Sequence, residues 1–128
     1  VQSTEAPSYA LSFAAGKIVT TETSNTLADG MATRIPDAEA FALIRKGASR
    51  IVQVTDDEVG QAIRAYWTDT HNLAEGAGAA ALAAALQEKS KLAGKRVGLI
   101  LSGGNIDFDL FRSWIGTGAA PAAQRAVA

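Results

Sequence analysis

The 128-residue chain contains no cysteine and a single histidine, His71. Without thiols it can form no disulfide, use no cysteine nucleophile and bind no metal through thiolate ligands. One imidazole is also too few for the multi-histidine metal sites of proteins. His71 follows a predicted helix end, where an imidazolium charge is favoured, and no nucleophile motif accompanies it. We therefore assign it no catalytic role.

An excess of charge of one sign is also lacking. The chain has 12 basic and 13 acidic residues and a net charge of -1, so electrostatics alone would attract neither nucleic acid nor anionic lipid. The longest apolar stretch, 77–86, is too short to span a bilayer and is interrupted by Gly78. No charged-then-apolar leader opens the chain, so we expect a cytoplasmic protein with no nucleic-acid or membrane partner.

Hydrophobic residues make up 48% of the chain, which is enough to pack one domain. Predicted strands alternate with predicted helices, which indicates a three-layer α/β/α fold with a mostly parallel, twisted sheet. The predicted strands are 1–4, 51–54 and 96–101, and the predicted helices are 6–15, 37–46, 56–70, 75–91 and 108–115. We assign 1–115 to this domain and 116–128, rich in alanine, glycine and proline, to a flexible tail.

Local signals predict where several helices begin and end. Gly16 is placed as a C-cap and Asp37 as an N-cap, and Thr55 with Glu58 has the spacing of a capping box. Residues 1–4 resemble the end of a strand that begins earlier, which favours the interpretation of the chain as a segment of a longer protein.

The stretch 96–101 reads as a buried strand that ends at Ser102, with Gly103 and Gly104 directly after it. Ligands of parallel sheets bind beyond the carboxyl ends of strands, and glycines allow a ligand close to the backbone. We predict that Ser102 presents its hydroxyl to a bound small molecule. The alternative is an ordinary strand-to-helix turn without a ligand. The pattern lacks the residues of a Walker loop or a dinucleotide fingerprint.

Glu75 precedes a helix that opens with glycine and alanine. Each glycine within a helix costs about 1 kcal/mol relative to alanine, which suggests close approach of another backbone or of a ligand. Glu75 is then either a helix cap favoured by the macrodipole or a side chain near that ligand. Residues 20–31 form a loop rich in hydroxyl groups, which either lines a pocket or is a solvated connection.

Taken in order, four blocks resemble the C-terminal half of the catalytic domain of the threonine dehydratase and serine racemase family, which belongs to the fold-type II pyridoxal-phosphate enzymes. The blocks are 1–7 (VQSTEAP), 26–31 (TLADGM), 72–79 (NLAEGAGA) and 101–107 (LSGGNID). The resemblance extends from Val1 to about Ile115. It implies that the chain is part of the large domain of such an enzyme.

The resemblance implies a cofactor-binding set of six residues: Ser102, Gly30, Met31, Glu75, Gly103 and Gly104. Ser102 would form a hydrogen bond with the pyridine nitrogen of pyridoxal 5'-phosphate. The backbone of Gly30 would lie beside the ring with Met31 next to it, and Glu75 would stand near the ring edge and the substrate. The paired glycines would leave space around the ring.

The resemblance further implies β-elimination from L-threonine, L-serine or a related hydroxy amino acid, giving a 2-oxo acid and ammonia. A serine can leave the pyridine nitrogen unprotonated, which favours expulsion of a β-hydroxyl group. Three alternatives stay open. The first is a racemase or β-replacement enzyme of the same fold type. The second is the branch that degrades hydroxyectoine-derived amino acids, and the third is a non-catalytic α/β ligand-binding domain.

The chain departs from the family pattern in two ways. The family's Schiff-base lysine and its glycine-rich phosphate loop lie upstream of the position of Val1, so we expect no catalytic residue in this chain and no activity from it alone. Its expected partners are the remainder of the catalytic domain, the amino-acid substrate and, for the complete enzyme, a second copy in a homodimer. Some relatives bind a divalent metal through an acidic pair. Glu5 matches the first member, but Leu11 and Ser12 stand where the second is expected, which makes a poor Mg²⁺ or Ca²⁺ site.

Overall fold

The computed structural model describes residues 1–116, which contain a small parallel sheet and six α-helices. Strand β1 (Gln2–Ser3) pairs with β2 (Gln53–Val54), with Gln2 opposite Gln53 and Ser3 opposite Val54. The helices are α1 (Ser8–Ala15), α2 (Ala38–Gly47), α3 (Asp56–Ala65), α4 (Gly76–Gln87), α5 (Lys89–Leu92) and α6 (Phe108–Gly116). The predicted tail, 116–128, lies outside the described residues except for Gly116, which ends α6.

The predicted helix ends are confirmed where a side chain or a glycine defines them. Gly16 adopts the left-handed conformation, with φ of 68°, and closes α1. The Asp37 side chain accepts a hydrogen bond of 2.8 Å from the N–H of Ala40 at the start of α2. Thr55 and Glu58 form the capping box that begins α3. These signals act within four residues of the chain, which is why they can be recognised without a tertiary structure.

Two predicted helices are shorter than expected. The helix predicted for 56–70 is α-helical only to Ala65 and then widens into a π-helical turn, Tyr66–Thr70, which ends where His71 takes a positive φ of 56°. The helix predicted for 75–91 divides into α4 and α5 at Glu88. Neither glycine nor proline stands at 66–70 or 87–91, so no local breaker in the sequence marks either change of winding.

The core lies between α3 and α4, and α6 closes one side of it. Val59 and Ile63 of α3 are fully buried in the same cluster as the small face of α4, which consists of Ala79, Ala80 and Ala83. A Cβ atom at Gly60 would lie 2.8 Å from Cδ1 of Trp114, so the indole ring rests directly on the α3 backbone. Small side chains thus let two helices and an aromatic ring pack closely.

The central strand predicted for 96–101 is wrong for this chain. Residues 96–107 have no regular secondary structure, and Val97, Leu99 and Ile100 are 46%, 39% and 78% exposed. A strand is defined by hydrogen bonds to a neighbouring strand, and the sheet within residues 1–116 contains only β1 and β2. Within residues 1–116, no helix has the length and apolar character needed to cross a membrane.

Candidate active site

Three chain segments that are far apart in sequence meet at the N-terminal end of α4. They are the loop 26–31, the turn 72–75 and the segment 101–104. The N–H of Glu75 donates a hydrogen bond of 3.1 Å to the carbonyl oxygen of Gly103, which joins the second segment to the third. Gly30 lies against Ala77 of α4, which joins the first. The structure therefore brings together three of the four sequence blocks that predicted a site.

Glycine is required where the third segment crosses α4. A Cβ atom at Gly78 would overlap the carbonyl oxygen of Gly103, and one at Gly104 would lie 2.6 Å from the carbonyl oxygen of Leu73. Both obstacles are backbone atoms, which cannot rotate away as a side chain can. The close backbone packing predicted from the glycines of α4 is confirmed.

Gly103 and Gly104 were expected to leave space around a cofactor ring. The space beside Gly103 holds the carboxylate of Glu75, because a Cβ atom there would overlap Glu75 Oε1. The two glycines therefore admit neighbouring protein atoms, and their role toward a cofactor stays a prediction.

Glu75 occupies the residue position before α4, but its carboxylate accepts no hydrogen bond from the first turn of that helix. Glu75 therefore does not cap α4 through a side-chain hydrogen bond, and a favourable interaction of its charge with the helix dipole stays a prediction. Its half-buried side chain lies instead against the backbone of Gly103. The chain thus places a carboxylate directly beside the segment that carries Ser102.

The loop 26–31 is packed against the first turn of α4 through two glycines. A Cβ atom at Gly30 would lie 2.9 Å from that of Ala77, and one at Gly76 would lie 2.7 Å from Cα of Ala28. Beyond Ala28 the chain forms a single 3-10 turn, Asp29–Met31. Gly30 and Met31 also line an open cavity of about 340 Å³ that extends toward Tyr9.

Ser102 is exposed, and within residues 1–116 its hydroxyl group takes part in no hydrogen bond. The Ser102 hydroxyl group can donate or accept a hydrogen bond, which suits a heteroaromatic ring with a polar nitrogen, and the carboxylate of Glu75 lies against the next residue, Gly103. None of the three segments contains a lysine. The residues present therefore fit one side of a pyridoxal phosphate site, and the individual contacts to the cofactor stay predictions.

Ser12, one of the two residues that stand where the second metal-binding carboxylate is expected, has a structural role. Ser12 is fully buried, its hydroxyl donates to the carbonyl oxygen of Ser8 at 2.7 Å, and it accepts from the N–H of Val19 at 2.8 Å. Glu5 is exposed. In the part of the chain that the structure describes, no three histidine, cysteine, aspartate or glutamate side chains are grouped as metal ligands. Glu5 remains a single candidate ligand.

Two carboxylates with lowered pKa values, Glu58 and Glu88, lie near the C-terminal end of α4, away from the candidate site. Hydrogen bonds from Arg50 and Lys91 lower the pKa of Glu88 to about 2. Burial alone would raise the pKa of Glu58, but hydrogen bonds from Thr55 and Gln87 outweigh it, so that this pKa is lowered. The hydrogen bond from Gln87 to Glu58 joins the end of α4 to the start of α3, and the ion pair of Arg50 with Glu88 joins that same end to the connection before β2.

Asp56 contacts the site loop but is not among the predicted site residues. Its carboxylate binds the backbone of Leu27 and the hydroxyl of Thr26. Asp56 is one of three consecutive acidic residues that begin α3, and such residues are expected there because they complement the helix dipole. No local signal connects it with a segment about thirty residues earlier.

The chain matches a family of pyridoxal-phosphate-dependent enzymes, and the individual proteins it resembles are ammonia-lyases and racemases. Residues 1–103 match the family described as "Pyridoxal-phosphate dependent enzyme". The chain is 44% identical over 108 residues to L-threonine ammonia-lyase of Geobacter sulfurreducens, an alignment that covers 84% of this chain and 27% of that protein. It is 34% identical over 102 residues to L-threo-3-hydroxyaspartate ammonia-lyase of a Pseudomonas species, covering 80% and 32%.

Among solved structures, the serine racemase of maize superimposes with a TM-score of 0.77 at 30% identity, covering 84% of this chain and 34% of that one. The chain thus spans about a third of the length of the proteins it matches.

Proposed function

Because the chain belongs to the pyridoxal-phosphate-dependent enzyme family, we propose that it is part of an ammonia-lyase that eliminates water from β-hydroxy amino acids. The resemblance to threonine dehydratases and serine racemases, the fold-type II architecture and the cofactor class are confirmed by the family match and the structural neighbours. The reaction and the substrate of this chain are the proposal.

The substrate class rests on what the relatives have in common. Threonine, 3-hydroxyaspartate and serine, the amino acids in their names, each carry a hydroxyl group on Cβ. Loss of the Cα proton and the β-hydroxyl group releases water, and hydrolysis of the product then gives a 2-oxo acid and ammonia. Pyridoxal phosphate, when bound, supplies the electron withdrawal that makes the Cα proton acidic.

The chain's own residues would bind and orient the reacting molecules. Ser102 would hold the pyridine nitrogen through its free hydroxyl group, and Gly30 and Met31 would lie beside the ring. The carboxylate of Glu75, fixed against Gly103, would stand near the ring edge and the substrate. The observation that carries this assignment is the convergence of these segments at one end of α4.

The rest of the catalytic domain is the expected partner. The apolar residues Val97, Leu99 and Ile100 are exposed on an extended segment that has no neighbouring strand within residues 1–116. Pairing of this segment with strands of the remaining domain would bury those side chains and complete their hydrogen bonds. A homodimer of the complete enzyme and a cytoplasmic location remain predictions.

The decisive experiment replaces the aligned segment of the Geobacter sulfurreducens ammonia-lyase with residues 1–116 of this chain. The chimera supplies every part of the catalytic domain outside the segment, so it tests the residues of this chain in a complete site. We expect 2-oxo acid and ammonia from threonine, serine or 3-hydroxyaspartate, and none from alanine. D-serine without ammonia would instead identify a racemase, and a folded chimera without cofactor would contradict the proposal.

Variants of the chimera test the role of Ser102. Ser102→Ala removes the hydroxyl group, and we expect the rate of elimination to fall about 10-fold or more, as for loss of one hydrogen bond to a polar or charged group. Ser49→Ala is the matched control, because Ser49 is also exposed but lies in the connection after α2. The 128-residue chain alone, incubated with pyridoxal phosphate and threonine, is expected to form no 2-oxo acid.

A further inference from the structure

The carboxylate of Asp56 binds the site loop with both of its oxygen atoms. Oδ1 accepts a hydrogen bond of 2.5 Å from the hydroxyl of Thr26, and Oδ2 accepts one of 2.7 Å from the N–H of Leu27. Asp56 is the first residue of α3, where a negative charge is stabilised by the helix dipole. Hydrogen bonds to an ionised acceptor are among the stronger ones in proteins.

The effect of these bonds extends along the loop. The hydroxyl of Thr26 also accepts a hydrogen bond of 3.1 Å from the N–H of Ala28. Ala28 is buried and lies against Gly76 at the start of α4. The carbonyl oxygen of Ala28 then accepts from the N–H of Met31 at 2.9 Å, which closes the 3-10 turn. A continuous series of contacts thus connects Asp56 to Met31.

We propose that Asp56 is a positioning residue that holds the loop 26–31 against α4, so that Gly30 and Met31 face the cofactor. Asp56 acts from α3 through the loop and touches neither the ring nor the substrate. The role toward the cofactor rests on the proposed function, whereas the hold on the loop does not. The two parts can therefore be tested separately.

The first test measures the loop in the 128-residue chain by amide hydrogen exchange. Asp56→Ala is compared with Asp57→Ala, which removes the same charge from the same helix turn but from an exposed side chain. We expect exchange at Leu27, Ala28 and Met31 to become about 10-fold or more faster in Asp56→Ala only. The amide of Phe41 in α2 should not change, which distinguishes local loosening from general destabilisation.

Substitutions of Thr26 test the hydrogen bond between Thr26 and Asp56 from its donor side. Thr26→Val removes the hydroxyl group with little change in shape and should accelerate exchange at Ala28, whereas Thr26→Ser retains it and should restore protection. The double variant of Asp56→Ala with Thr26→Val should be less than additive, because both changes remove one shared hydrogen bond. Unchanged exchange in Asp56→Ala would overturn the proposal.

The second test uses the chimera and measures its affinity for pyridoxal phosphate. We expect Asp56→Ala to weaken binding about 10-fold and Asp57→Ala to leave it unchanged. A loosened loop with unchanged cofactor affinity would overturn the positioning role. A parent chimera that binds no cofactor would count against the proposed function instead, and the exchange experiment would still decide whether Asp56 holds the loop.

Discussion

Gly78 of α4 lies directly beneath the carbonyl oxygen of Gly103, with no room between them for a Cβ atom. This contact sets how closely the segment that carries Ser102 packs against α4. The neighbouring hydrogen bond from Glu75 to Gly103 depends on the same approach. The glycine at position 78 therefore has a structural purpose that outweighs its unfavourable helix propensity.

Gly78→Ala tests this contact. Helix propensity alone would stabilise the variant by about 1 kcal/mol. We expect a loss of about 1–3 kcal/mol instead, because the segment 101–104 must move away from α4. Gly47→Ala is the control, since no atom lies within 4 Å of a Cβ atom there. Urea denaturation measures both, and a more stable Gly78→Ala variant would contradict the packing.

Ile63 tests the core between α3 and α4. It is fully buried, so Ile63→Ala should lower the free energy of unfolding by about 2–5 kcal/mol through lost burial and a residual cavity. Leu43 is 72% exposed on α2, and Leu43→Ala should change stability by less than about 0.5 kcal/mol. Similar losses in the two variants, measured by urea denaturation, would show that α3 is not the centre of the core.

The capping box of α3 gives a third prediction. The hydroxyl of Thr55 accepts from the N–H of Glu58 at 3.2 Å, and the Glu58 carboxylate accepts from the N–H of Thr55 at 2.7 Å. Thr55→Ala should cost about 1 kcal/mol, whereas Thr55→Ser, which keeps the oxygen, should be close to the parent. Thermal unfolding monitored by circular dichroism distinguishes the two. Equal losses would indicate that the methyl group of Thr55 matters and not its hydrogen bond.

The ion pairs of Glu88 predict a dependence of stability on pH. The pKa of Glu88 is lowered from 4.5 to about 2 by Arg50 and Lys91. Because the unfolded chain binds the proton more readily, this carboxylate contributes its full stabilisation above its unfolded pKa and loses it as pH falls through its folded pKa. Glu88→Gln should therefore lose less stability than the parent as pH falls from about 5 to about 2.

Arg50→Ala removes the cationic partner of Glu88. Like Glu88→Gln, it should lose less stability than the parent as pH falls from about 5 to about 2. Salt should reduce the difference, since the guanidinium group of Arg50 is largely exposed. The measurement is the urea midpoint at each pH at low ionic strength. Parallel loss of stability in the parent and in Glu88→Gln would contradict the lowered pKa.

Much of the local structure could be predicted from the sequence. Gly16, Asp37 and the pair Thr55 and Glu58 define helix ends through bonds to atoms within four residues. No short-range signal marks the π-helical turn after Ala65, because residues 66–70 contain neither glycine nor proline. The strand predicted for 96–101 failed for a different reason. Its residues have strand character, but a strand also needs a partner.

Some features of the candidate site could likewise be predicted from the sequence, and others depend on tertiary packing. The order of the four blocks was sufficient to indicate the family, and three of those blocks meet at the N-terminal end of α4. The fact that the carboxylate of Glu75 lies on Gly103, rather than capping α4, follows from the tertiary packing of two distant segments. The hold of Asp56 on Thr26 could not be read from the sequence either, because its acidic neighbours have the same local explanation.

The sequence by itself determined the helix boundaries marked by caps, the positions of the two strands that pair, and the glycines at which backbones approach. Each of these depends on a residue's own conformational preferences or on neighbours within one or two turns. Only the tertiary structure decided which atoms fill the space beside each glycine and which carboxylate holds the loop 26–31. Those outcomes depend on contacts between segments 25 to 30 residues apart or more, whose geometry is set by packing of the whole core.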